Sequence, residues 1–451
     1  MGSLHPIKSA YGVWRAAVAM ACLFTIVPSN LSAQNLLDLR AQADIEDEWL
    51  EKRLDTIVPA LMREYGSDMW ILIAREYNED PVVKTMLPAR WLSARRRMIL
   101  VFAREGDKVE RFAVSRYPVD RFFETRWAKE QQPNQWQALA DIVAEKDPKT
   151  ITINASDTFA LADGLTLSQY QGMATALGEE MMARVQPDPR LAIGWLETRL
   201  PEEMPYYKDA VAKAHSIIKE GFTGGFIKPG ETGRNDLVWW YRQKIRDEGL
   251  TAWFHPSVNI QRPDKMVEGQ IETFSPGTDE IIQRGDLLHV DFGLVYMGLN
   301  TDTQQHAYVL KAGETAVPRY LKAAFAKGNR LQDILTDNYV IGRSGNEALA
   351  RSRAEAAKEG IRPSIYTHPI GMHGHGAGAT IGLWDQQGGV RGRGDYPIRP
   401  NTAWSIELKA MVPVDEWGGK TVNIMLEEDA FFDGTKVTYI DGRQTEIHVV
   451  P

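Results

Sequence analysis

Four carboxylates and one imidazole fall in or beside strand-like apolar runs in the C-terminal part of this 451-residue chain, and they restrict what it can fold into. Asp291 ends the apolar run LLHVD, and Asp302 lies eleven residues further on. The segment GLVYMGLN between them is long enough for a strand and a turn, so a β-hairpin would bring both carboxylates to one place. Glu407 lies in WSIELKAMV and Glu427 in NIMLEEDAFF, both strand-like. His375 lies in HGHGAG, where glycines let backbone approach a metal closely. Burying an ionised carboxylate is costly unless it is paired or bound to a cation. A single acidic residue at a strand end is ordinarily a solvated charge. For the five together, a ligand set for two divalent cations is the simplest compensation.

The length exceeds what one core usually serves, so two domains are expected after any leader. The first 33 residues differ from the rest. They contain Lys8 and Arg15 but no acid, then the apolar run AAVAMACLFTIV, then Leu31-Ser32-Ala33 before Gln34. This is the pattern of a secretory signal peptide. The apolar run is shorter than the ~20 residues a membrane-spanning helix needs. Cleavage and a periplasmic or secreted location are therefore expected, with no stable membrane anchor afterwards. The leader also holds the only cysteine, Cys22, so the mature chain has neither a disulfide nor a thiol nucleophile. Its removal lowers Lys plus Arg from 52 to 50 against 60 acids, moving the net charge from −8 to −10. That balance lacks the basic footprint of a nucleic-acid-binding protein.

Residues 34–65 have helical patterning. Strands are predicted at 69–76, 96–105, 109–117 and 150–156, with helices at 136–145 and 165–185. Alternating elements of this kind make a small α/β domain over 34–198. Proline-rich punctuation at 187–190 and 199–205 marks the boundary. A larger domain over 199–451 opens with two helices, in EEMPYYKDAVAKAHSIIKEGF and RNDLVWWYRQKIRDEG. The strand WFHPSVNIQ and the Asp291/Asp302 hairpin follow. Two more helices, in VPRYLKAAFAKGNRLQDILTDNYV and GNEALARSRAEAAKEG, precede the histidine-glycine segment and the two glutamate strands.

The order Asp, Asp, His, Glu, Glu in VDFG, NTDT, GHGAG, SIEL and LEED resembles the pita-bread metallopeptidases, family M24. Methionine aminopeptidases, Xaa-Pro aminopeptidases and prolidases belong to it. The resemblance covers about the last 250 residues, a size typical of one larger domain. It implies an α/β (α+β) fold with a C-terminal pita-bread domain, preceded by a smaller creatinase-like domain. It also implies that Asp302 and Glu427 bridge two metals, that Asp291 completes one side, and that His375 and Glu407 complete the other. Glu407 would accept the proton of the attacking water. Carboxylates with one imidazole suit Mn²⁺, Zn²⁺, Co²⁺ or Fe²⁺. Asp429, two residues after Glu427, faces the same way on a strand and would either support the ligands or be a surface charge.

The chain departs from the family pattern in three places. A histidine usual about 17 or 18 residues before the first metal aspartate is missing; Thr273 or Phe274 stands there. A second usual histidine, about seven after the metal histidine, is missing when counted from His375, where Gly382 or Gln386 falls. The arginine usual after the second aspartate is glutamine in DTQQ. Six of nine histidines lie between 255 and 375, so a neighbour is expected to replace the missing proton shuttles. His373 is the first candidate and His289 the second, with His306 and His368 also in range. His373 is also the rival of His375 as ligand. The expected function is an exported aminopeptidase or dipeptidase acting on short Xaa-Pro peptides, with Trp384 and Tyr396 either pocket walls or core packing; the sequence does not choose the oligomer, a homodimer being one option. The alternatives are a metal-dependent lyase or other hydrolase on the same fold, and a binding module that has lost catalysis.

Overall fold

Unbroken apolar runs, buried on both faces, build the central strands of the N-terminal sheet. The computed structural model describes residues 36–263 and 280–451; the leader, Cys22 and the positions of Thr273 and Phe274 lie outside the described residues. The first helix, α1 (Leu39–Glu64), starts where the Asp38 side chain accepts from the Arg40 and Ala41 N–H groups. Its stripe Leu50, Leu54, Val58 and Leu61 is buried. Strands β1 (Met69–Arg75), β2 (Arg97–Glu105), β3 (Lys108–Ser115), β4 (Glu124–Thr125), β5 (Ile151–Ile153) and β6 (Val185–Pro187) form one sheet in the order β4-β3-β2-β1-β5-β6. The three-strand meander β1–β2–β3 is antiparallel, and β5 and β6 add in parallel. In β1, Trp70 and Leu72 face α1, while Met69, Ile71 and Ile73 face α3 (Gln135–Lys146) and α4 (Leu167–Met182). The short α2 (Pro81–Lys84) follows β1, capped by Asp80.

The helix α5 (Arg190–Glu197) was not predicted. It is only eight residues long, and its residues from Leu191 to Glu197 are all buried, so its few polar positions do not stand out as a solvent face. Pro187, Pro189 and Pro201 around it look like loop punctuation.

In the C-terminal part, α6 (Met204–Thr223) packs on α7 (Arg234–Asp247) so closely that a Cβ at Gly221 would lie 2.5 Å from the Tyr241 ring. Behind them, β7 (Ser257–Gln261), β8 (Leu287–Phe292), β11 (Thr303–Val309) and β19 (His448–Val450) run in the order β19-β11-β8-β7. A small ribbon of β9 (Val295–Tyr296) and β10 (Leu299–Asn300) interrupts the predicted hairpin between β8 and β11. Helices α8 (Arg319–Thr336) and α9 (Gly345–Lys358) cover the other half. That half holds β12 (Arg362–Ile365), β15 (Leu408–Pro413) and β16 (Thr421–Leu426) in one sheet. Its second sheet has β13 (His368–Ile370), β14 (Thr402–Ser405), β17 (Asp429–Phe432) and β18 (Val437–Tyr439). Two helix pairs, each laid on its own strands, give the pita-bread arrangement. A bridge between Gln304 and Glu427 joins the two halves at the centre.

Buried ions tie α1 to the rest. The Arg53 guanidinium donates to Thr198 O (2.7 Å), Glu203 Oε1 (2.8 Å) and Trp195 O. Both Arg53 and Glu203 are 1% exposed, so little solvent screens the pair. Further along, Arg399 donates to both Glu64 oxygens, at 2.7 and 2.9 Å.

Candidate metal centre

Strand register brings the predicted acids together. Across β8 and β11, Asp291 stands opposite Gln304, and the other neighbour of Gln304 is Glu427. Asp302 lies just before β11, where its N–H donates to the Asp429 carboxylate, 3.1 Å to Oδ2. Asp429 is buried, so it supports the ligands from below rather than lying at the surface. Glu407 sits between β14 and β15. Its N–H donates to Thr367 Oγ1 (3.0 Å), and its carbonyl accepts from the same hydroxyl (2.8 Å). This pairing sets Thr367 beside Glu407 and carries the next residue, His368, into the acids.

Three overlapping groups result: Asp291, Asp302 and Glu427; His368, Glu407 and Glu427; and Asp302, His368 and His375. Within each, one ligand atom per residue lies within 4.8 Å of the others. Nε2 of His368 is 3.7 Å from Glu427 Oε1 and 3.8 Å from Asp302 Oδ2. That nitrogen, Asp291 Oδ1 and Asp302 Oδ1 are buried without hydrogen-bond partners among the described residues. Buried polar atoms are otherwise almost always paired. Burial raises the Asp291 carboxyl to about 7. Burial, and then repulsion from the neighbouring acids, pushes Asp302, Glu407 and Glu427 well above the usual range. A cluster short of positive charge, with unpaired oxygens and an unpaired imidazole nitrogen facing one another, fits divalent cations.

The histidines fall differently from the sequence expectation. His368 belongs to two of the three groups and His375 to one. His375 is exposed and stands 4.8 Å from the His368 ring, centroid to centroid. Counted from His368, His375 is the histidine seven residues on that is missing when the count starts at His375. The glycine before it serves packing: a Cβ at Gly374 would lie 2.5 Å from the Trp253 ring. Both nitrogens of His289 are engaged, Nε2 with Gln304 Oε1 (2.9 Å) and Nδ1 with Asn259 Nδ2 (3.3 Å). Burial, with His306 beside it, lowers His289 to about 3. His306 is tied to the Leu288 carbonyl and the Met425 N–H, both at 3.0 Å, which makes it a strand connector. His373 is half-buried, and its Nε2 has no partner among the described residues.

Sequence reasoning did not identify the contacts that hold the glutamates. The Gln304 amide donates to Glu407 Oε1 (2.5 Å) and Glu427 Oε2 (2.7 Å), and Ser405 donates to Glu427 Oε1. The signal was the glutamine in DTQQ, two residues from Asp302 and therefore on its side of a strand. Behind the site, His215 on α6 bridges Glu428 (2.7 Å) and Asp441 (3.1 Å). Burial opposes its charge, but the two acids outweigh burial and raise it to about 10.

A cavity of about 470 Å³ lies between α1, the segment after α2 and the β9–β10 ribbon. Trp49, Trp91, Leu299 and Met372 give it apolar walls, and Lys84 and His373 add polar ones. The expected walls are elsewhere. Trp384 is exposed at the surface, and Tyr396 packs edge-on against Phe159. No helix among the described residues is long and apolar enough to cross a membrane.

The sequence model of metallopeptidase family M24 matches residues 207–430. No curated protein sequence matches the chain. Among solved structures, X-Pro aminopeptidase from Thermotoga maritima is similar with a TM-score of 0.61 at 17% identity, over 87% of this chain and 100% of that one. Xaa-Pro dipeptidase from Bacillus anthracis gives 0.61 at 16%, over 89% and 99%. The N-terminal domain of FACT complex subunit SPT16 from Cicer arietinum gives 0.57 at 11%, over 92% and 100%. Identities this low establish a shared fold. The matched segment contains every member of the carboxylate–imidazole cluster, and through it this chain belongs to metallopeptidase family M24.

Proposed function

We propose that the protein is an exported two-metal peptidase that removes N-terminal residues from short peptides, with proline after the scissile bond. The overlap of the three ligand groups on Asp302, His368 and Glu427, in a chain of family M24, is the observation that carries this reading. In it, His368 rather than His375 is the imidazole ligand, beside Asp291, Asp302, Glu407 and Glu427. When bound, two divalent ions (Mn²⁺, Zn²⁺, Co²⁺ or Fe²⁺) supply Lewis acidity for a carbonyl and a hydrolytic nucleophile near neutral pH. The chain's own residues move the protons. Glu407 accepts one from the attacking water. His375, exposed at the edge of the cluster, passes one to the leaving amine, a service worth about 10²–10⁴-fold in rate.

The cavity supports a place for the peptide beyond the scissile bond. Two of its wall residues, Asn300 and His373, each lie two positions before a cluster residue, Asp302 and His375. Its aromatic walls suit a proline ring, and Lys84 suits a terminal carboxylate. Residues 34–198 act as an accessory domain that narrows the entrance to a catalytic domain over 199–451. The mature chain starts near Gln34. Purified protein should be analysed for metal, then assayed on Xaa-Pro dipeptides, Xaa-Pro-Xaa tripeptides and matched alanine peptides. Two ions per chain and faster cleavage of the proline series are expected. Equal cleavage of the alanine series would remove the proline preference. No cleavage of any peptide by the metal-loaded protein would transfer the assignment to a non-peptidase reaction or a binding role.

A further inference from the structure

We propose that Gln304 and His289 form a positioning pair that sets the ligand position made by His368, Glu407 and Glu427; the inference rests on the metal reading above. Three adjacent chain segments place Asp291, Gln304 and Glu427 in one row. Directly opposed residues point to the same face of a sheet, so the Gln304 side chain lies among the ligands rather than behind them. Its position is tightly fixed, because Gln304 N–H donates to the Glu427 carbonyl at 2.9 Å.

The amide can serve the site in one orientation only. Ionised carboxylates only accept hydrogen bonds, so the NH₂ group must face Glu407 and Glu427. It reaches Glu407 Oε1 and Glu427 Oε2. That leaves Glu407 Oε2 and Glu427 Oε1 unengaged by the amide, and Glu427 Oε1, which also accepts from Ser405, is 3.7 Å from His368 Nε2. The amide oxygen then needs a donor on its other side. His289, two residues before Asp291, supplies it from Nε2 at 2.9 Å. Its Nδ1 accepts from Asn259 Nδ2 at 3.3 Å, which fixes the tautomer that donates toward Gln304. The chain Asn259, His289, Gln304 and the two glutamates therefore has one consistent direction of donation. Reversing the amide would set its oxygen against two carboxylates and its NH₂ against an N–H.

The effect should fall on one metal position. The group Asp291, Asp302 and Glu427 has one carboxylate held by Gln304, whereas the group with His368 has both of its carboxylates held. His289 is thereby a positioning residue acting through Gln304, not a proton shuttle.

The test is Mn²⁺ titration of full-length mature protein by calorimetry, with metal counted after gel filtration. Gln304→Met keeps the volume but removes both donors. It should retain one tight ion and bind the other about 10–100-fold more weakly, the usual cost of losing an outer-shell partner. His289→Leu should weaken the same ion, and His289→Gln, which restores a donor toward Gln304, should recover most of the affinity. The double variant His289→Leu/Gln304→Met should match Gln304→Met alone. Thermal unfolding in EDTA checks that each variant is folded. If Gln304→Met does not fold, the comparison of His289→Leu with His289→Gln decides. Wild-type protein with two ions, and variants with the same two at unchanged affinity, would overturn the positioning pair alone. Fully additive losses in the double variant would overturn it as well. Wild-type protein that takes up no ion would overturn the metal reading itself.

Discussion

Replacing His368 and His375 separately tells which imidazole holds a metal. His368 Nε2 is buried without a hydrogen-bond partner among the described residues, 3.7 and 3.8 Å from two carboxylates. Leaving a polar atom in that state costs about 1–3 kcal/mol. In metal-free protein, His368→Leu removes that cost together with some packing, so its stability in EDTA should stay close to wild type. The loss should appear only when metal is added. An ion at 100 times its dissociation constant stabilises a fold by about 2.7 kcal/mol, and a hundredfold loss of affinity leaves about 0.4 kcal/mol. A direct ligand should cost at least that hundredfold, the upper end for groups one shell further out. His368→Leu should therefore lose about 2 kcal/mol of metal-dependent stabilisation. His375→Leu should keep it in full while losing turnover. Denaturant unfolding with and without Mn²⁺ reads the difference. If His375→Leu abolishes the metal response and His368→Leu preserves it, the assignment is reversed.

Arg53→Met should destabilise the protein by roughly 1–3 kcal/mol in denaturant unfolding, because Glu203 would stay buried with Arg199, 3.4 Å away, left to offset its charge. His215 is raised to about 10 in the fold from an ordinary value near 6.5, so its contribution is complete below pH 6.5 and lost as pH rises toward 10. Unfolding free energy should decline over that window by a few kcal/mol at most, and His215→Gln should flatten the decline. N-terminal sequencing of native protein should begin near Gln34; an intact Met1 would refute export by cleavage.

The main architecture could be read from the sequence because its signals are local. The helices α1, α3, α6, α7, α8 and α9 show apolar stripes, and Ser344 with Glu347 makes a capping box at the start of α9. The strands that contain Asp291 or flank Glu407 and Glu427 were legible as apolar runs interrupted by a costly charge. What escaped was set by long-range pairing. HGHGAG supplies His375 to one candidate group, whereas His368, which belongs to two, is delivered by Thr367 pairing with Glu407, 40 residues away. The glutamine of DTQQ looked like a gap in the pattern. Its contacts are with His289, Glu407 and Glu427, and only strand register brings them together. The helix α5 was hidden because it is buried on every side. The cavity is built from α1 and the β9–β10 ribbon, which are more than 200 residues apart in sequence, so no motif could announce it.

The clasp of Arg53 around Thr198 and Glu203 makes the catalytic half a poor candidate for life as an excised fragment. A polypeptide begun at Arg199 would keep Glu203 but leave it only Arg199, 3.4 Å away, in place of the two guanidiniums that flank it, and would uncover the Tyr206 ring that packs edge-on against Trp49 of α1. Inherited changes in α1 would consequently present as low abundance and protease sensitivity, although every ligand in the distant cluster is intact. A screen that scores only peptide turnover in extracts would misfile them as lesions of chemistry. Measuring specific activity per folded molecule would separate the two.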